Sequence, residues 1–103
     1  MLKLNADPTF RAAVPISVPG TREPEKVHFT FRHQKKDELK QFLATAKEMK
    51  DEDYVLAVAM GWELSEEFNR ENVQRLLQNY HGAAQAIAAT YVFELSGLGN
   101  RGE

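Results

Sequence analysis

The sequence predicts an α+β domain, an N-terminal antiparallel β-hairpin followed by about four α-helices in one compact unit. Three observations predict it. Two runs near the N-terminus alternate apolar and polar residues across a stretch of turn formers; from Asp37 onward apolar residues recur at helical spacing; and all the strand signals precede the helical ones. The chain has 103 residues, 43% of them hydrophobic and 27% charged, which suits one domain closing a modest core rather than a disordered segment. The expected organisation is a hairpin over 9–33, a helical part over 36–97 and a flexible tail over 98–103.

The first strand rests on Phe10, Ala12, Val14, Ile16 and Val18, which fall on every second position. Val27, Phe29 and Phe31 repeat the pattern after a turn-rich stretch from Pro19 to Glu25. Pro15 has no N–H to give a ladder, so its strand is expected at a sheet edge with that position facing away from its partner. Two strands alone are marginal in water, and the Phe10, Ile16, Phe29 and Phe31 face needs the helices as cover.

Asp37 and Glu38 place acid in a first helical turn, and Leu39, Phe42, Leu43, Ala46 and Met49 follow on one face, with Lys47 and Lys50 near the end. Asp51-Glu52-Asp53 opens a second helix whose unbroken apolar run from Tyr54 to Met60 predicts a central, buried element. Gly61 suits a left-handed C-cap to that helix, leaving Trp62, Leu64 and Phe68 in an acidic loop. Asn69 is placed to cap a third helix carrying Val73, Leu76, Leu77 and Tyr80. Gly82 allows a break, and a last helix runs from about Ala83 to Leu95 and ends at Gly97.

No enzyme-like constellation is expected. The three histidines form no ligand-spaced pair, so no metal site is predicted, and the absence of cysteine removes disulfides and thiolate chemistry and fits a cytoplasmic protein. The sequence has no phosphate-binding glycine loop and no Gly-x-Ser-x-Gly turn, and no cofactor is expected. Paired acids at Asp51-Glu52-Asp53 and Glu66-Glu67 sit where helix starts and exposed loops favour negative charge. A signal peptide and a membrane-spanning stretch are both missing from the expectations. Arg32-His33-Gln34-Lys35-Lys36 is the one basic cluster, too short and too poor in aromatics to predict nucleic-acid binding.

Two features point to protein partners. The last helix mixes five alanines with large apolar residues, more apolar surface than one core-facing stripe needs, although a central, covered helix has the same composition. Charge is also uneven: residues 1–50 hold ten Lys and Arg against six Asp and Glu, and residues 51–103 hold three against nine, an asymmetry that favours head-to-tail self-association where it is not merely scattered surface charge. Trp62, Ala84, Ile87, Ala88 and Tyr91 are the candidates for partner or self contact.

The order of several blocks carries a resemblance. Leu4-Asn5 with Pro8-Thr9-Phe10, then Val14-Pro15-Ile16-Ser17-Val18-Pro19-Gly20, then Phe29-Thr30-Phe31-Arg32-His33, and later Gly61-Trp62, Glu71-Asn72-Val73, Leu76-Leu77 and Gly82-Ala83-Ala84, resemble the small tail assembly chaperones of long-tailed bacteriophages and prophages. The match spans nearly the whole chain, with a departure at His81, where the family pattern has proline. The resemblance implies a non-catalytic morphogenesis factor of the host cytoplasm, absent from the mature virion. Its partners would be the largely helical tape measure protein, the tail tube protein and further copies of itself. It transfers no catalytic or binding residue. The alternatives are a structural tail or head-completion protein and, resting only on Arg32 to Lys36, a small nucleic-acid-binding regulator.

Overall fold

A computed structural model describes residues 2–97; the tail expected over residues 98–103 lies outside them. The elements in chain order are β1 (Thr9–Ile16), β2 (Glu25–Arg32), α1 (Lys36–Ala46), α2 (Asp51–Val58), β3 (Ala59–Trp62), α3 (Arg70–Asn79) and α4 (Ala83–Ser96). The expected hairpin and four helices are all present, and β3 extends the hairpin to a three-stranded antiparallel sheet in the order β1-β2-β3.

Alternation builds β1 and β2 as expected. Ala12, Val14, Ile16, Phe29 and Phe31 are buried on the inner face, while Arg11 and Pro15 are exposed between them. Phe10 stands opposite Phe31 and Ala12 opposite Phe29. The His33 N–H donates to the Pro8 carbonyl at 2.9 Å, which makes that a hydrogen-bonded pair. Bonded pairs alternate along an antiparallel ladder, so Pro15, opposite Lys26, falls on a non-bonded pair and its missing N–H lies on the free edge of β1. Gly20 takes the left-handed conformation (φ 87°) in the turn.

The second helix departs from expectation. It stops at Val58, and Ala59 is already extended (φ −113°, ψ 151°), so the chain passes from helix into strand with no intervening turn. Gly61 is not a left-handed cap: it pairs with Thr30 in the sheet, and Trp62 pairs with Phe29. Between Thr30 and Phe31 the register shifts, leaving Met60 as the extra residue of a bulge, half exposed. Helix α1 also ends early, at Ala46, with residues 47–49 in a turn, so Lys47 and Lys50 are outside it.

The caps of α3 and α4 follow the sequence. The Asn69 side chain accepts from the Asn72 N–H at 2.9 Å, and Gly97 closes α4 in the left-handed region (φ 82°). One core gathers Val14, Phe29 and Phe31 from the sheet, Val55 and Val58 from α2, Ala59 from β3, Val73 from α3, and Ala83, Ile87 and Tyr91 from α4. Tyr91 lies 5.3 Å from Phe31 and 6.0 Å from Phe10, ring centre to ring centre, joining α4 to both hairpin strands. Helix α1 contributes no fully buried residue; Phe42 rests on Tyr54 of α2 at 5.2 Å, and Leu39 is half-buried beside it.

Candidate interaction groove

A surface hollow lies between the turn end of the hairpin, the segment after β3 and one side of α3, with a volume of about 490 Å³. It opens to solvent. Ile16, Val18 and Val27 form the wall given by the hairpin, and Leu76 and Tyr80 the wall given by α3 and its end. Trp62 and Leu64 close the third side. Glu25, Glu66 and Arg75 stand among the polar lining, with Arg75 3.8 Å from Glu66.

Local structure explains why the apolar floor stays put. Trp62 is held at its outer edge, where its indole N–H donates to the Glu66 carbonyl at 2.8 Å, while its ring meets Phe29 and Phe68 edge-on at 5.9 and 5.0 Å. The Asn72 amide donates to the Glu67 carbonyl at 2.7 Å and ties the acidic loop to α3. The start of α3 is in turn anchored to α2: the Arg70 guanidinium bonds both Glu52 and Asp53 at 2.8 Å, and Gln74 donates to Glu52 at 2.7 Å. The carboxylates of Asp53 and Glu52 push the Arg70 pKa up. These fixed contacts leave Val18, Val27, Leu64 and Leu76 part-exposed between loop and hairpin, while Ile16 is buried.

On the other face of the sheet the chemistry is polar. Glu63 receives both the Arg11 guanidinium and His28 Nδ1, the latter at 3.0 Å, and its N–H donates to the His28 carbonyl at 3.0 Å, extending the β2–β3 ladder by one residue. All three side chains are about half exposed, where ion pairs stabilise little. Among the described residues no group of His, Asp and Glu is arranged to hold a metal ion, and no helix is long and apolar enough to cross a membrane.

The five sequence candidates do not form one patch. Trp62 lines the groove. Ala84 and Ala88 are half-buried on α4. Ile87 and Tyr91, expected at a partner surface, are fully buried, because the hairpin and α2 cover that side of α4. Ile16 is buried, as strand alternation assigned it, and also lines the groove; the sequence reading missed Val18 there because alternation put it on the same face. It also missed Leu76 and Arg75, for which the strong amphipathy of α3 was the available signal.

Residues 1–101 match the family model described as phage tail assembly chaperone. No curated protein and no solved structure matches the chain.

Proposed function

The chain belongs to the phage tail assembly chaperone family, and from that we propose that it is a non-catalytic morphogenesis factor that binds the tape measure protein and promotes assembly of the tail tube around it. The observation that carries this reading is the groove. An open, apolar floor of about 490 Å³ with a polar rim is the kind of surface that receives the apolar stripe of an amphipathic helix, and the tape measure protein of such phages is a long helical chain. Covering apolar stripes of an unassembled helical chain keeps it from aggregating, and a shallow groove releases it as tube subunits arrive. On this reading the protein works in the host cytoplasm and is left out of the finished particle. Trp62 makes contact from within the groove, and Ala84 and Ala88 offer a second contact on α4.

The test is co-expression of the tape measure protein with the wild type and with a Leu64→Arg, Leu76→Arg variant. The variant, folded by circular dichroism, is expected to leave the tape measure protein largely insoluble, and purified particles are expected to lack the chain. Full solubilisation by the folded variant would overturn the assignment of the groove.

A further inference from the structure

The inner face of the hairpin runs past its cover of helices. Glu25, Val27, Phe29 and Phe31 share that face by alternation; Phe29 and Phe31 are fully buried, Val27 is part-exposed, and Glu25, at the tip end, is exposed. Glu25 stands opposite Ile16 in the ladder and lines the groove beside Val18 and Val27, so a carboxylate ends a wall that is otherwise apolar. Among the described residues it takes part in no ion pair. The facing side differs. Arg75 on α3 and Glu66 in the loop stand 3.8 Å apart and leave that side close to neutral, and Glu66 also accepts from the Ser65 hydroxyl at 3.2 Å.

We propose that the groove selects an amphipathic helix whose apolar stripe is flanked by lysine or arginine, and that Glu25 is the residue that reads the flank. The inference rests on the groove reading given above and adds to it the charge of the segment received. Geometry requires the contact: a helix that covers Val18 and Val27 brings the edge of its stripe over Glu25, because the three side chains line one wall. The hollow holds a few large apolar side chains and not a whole helix, so the occupant's backbone stays outside and its flanking residues meet the rim. A carboxylate approached in this way loses part of its water. A cation at the flank offsets that loss, a neutral side chain leaves it uncompensated, and an acid adds repulsion. The stem of a lysine or arginine also lies well along apolar surface while its head stays in water, which suits a place between Val27 and the rim. Because Glu25 is exposed, the effect is a preference and not an absolute requirement.

Three synthetic peptides of about 18 residues, long enough to form helix, test it. They share leucines at helical spacing along one face and differ only in carrying Lys, Gln or Glu at the flanks of that stripe, three residues of similar helix propensity. Binding is read from the emission of Trp62, the single tryptophan of the chain, which lines the groove. The Lys peptide is expected to bind about threefold more tightly than the Gln peptide, the Glu peptide more weakly than both, and the differences to shrink as salt rises. Glu25→Gln, a change at an exposed strand end, is expected to bring the Lys and Gln peptides level. Equal binding of all three peptides, tightest binding of the Glu peptide, or a Lys preference undiminished in Glu25→Gln would each overturn the role of Glu25 while leaving the groove as the receiving surface. Binding of none of the three would overturn the groove reading with it.

Discussion

Tyr91 shows how one residue joins the two halves of the chain. Its ring sits among Phe10 and Phe31, and its hydroxyl donates to the Arg32 carbonyl at 2.7 Å, so the end of β2 is hydrogen-bonded from within the last helix. Burial pushes its pKa from 10.0 up to about 12, and burial raises that of Tyr54 as well. A phenol is charged only once deprotonated, so below pH 10 Tyr91 is neutral in both folded and unfolded chains and stability does not respond to it. Between pH 10 and about 12 the unfolded chain loses the proton that the folded chain keeps, and stability falls as pH rises. Ultraviolet titration of phenolate is expected to show Tyr91 ionising in that window or together with unfolding, and Tyr91→Phe to remove that late step. A Tyr91 that titrates near its ordinary value would show the hydroxyl to be open to water. At this scale the sequence was least informative. Tyr91 and Ile87 have the same character whether they face a core or a partner, and only the position of the hairpin over α4 assigns them to the core.

Among the elements, legibility followed periodicity. The hairpin was visible because period-two alternation and a Pro-Gly turn agree, and α3 and α4 because Asn69 and Gly97 mark their ends in the way their backbone geometry requires. Strand β3 was hidden because it is four residues long and continues an apolar run begun in α2; an unbroken apolar run has no period, so helix and strand look alike across Val58 and Ala59. The backbone edge that β2 would otherwise leave unpaired at Phe29 and Thr30 settles the conformation there. Helix α1 gives the converse lesson. Its spacing is clear in the sequence, yet it buries no side chain fully, because an amphipathic pattern shows that a face exists and not how much surface meets it. Amide hydrogen exchange is accordingly expected to be faster in α1 than in α4, which is anchored by Ala83, Ile87 and Tyr91. Equal protection would place α1 in the same cooperative unit as the core.

For the whole molecule, the single core drawing on all three strands and on α2, α3 and α4 predicts one cooperative transition. Far-ultraviolet circular dichroism and Trp62 fluorescence are expected to give coincident melting curves, with α1 contributing at most a shallow pre-transition slope; separated midpoints would mean that the sheet and the helices unfold apart. The groove was not legible at this scale because its walls come from segments as far apart as Ile16, Leu64 and Leu76, and only closure of the fold brings them together. The family was legible because the order of short blocks survives where no single block is distinctive. The proline on β1 has a consequence for how such a molecule behaves in a crowded cell. Thr9, Arg11 and Ala13 turn their N–H groups outward along the free edge, and at Pro15 the row of donors stops. A foreign strand laid along that edge therefore loses a hydrogen bond before it reaches the hairpin tip. Pro15 thus acts as a gatekeeper against runaway cross-β stacking, leaving side-chain contacts rather than backbone templating to govern which molecules meet.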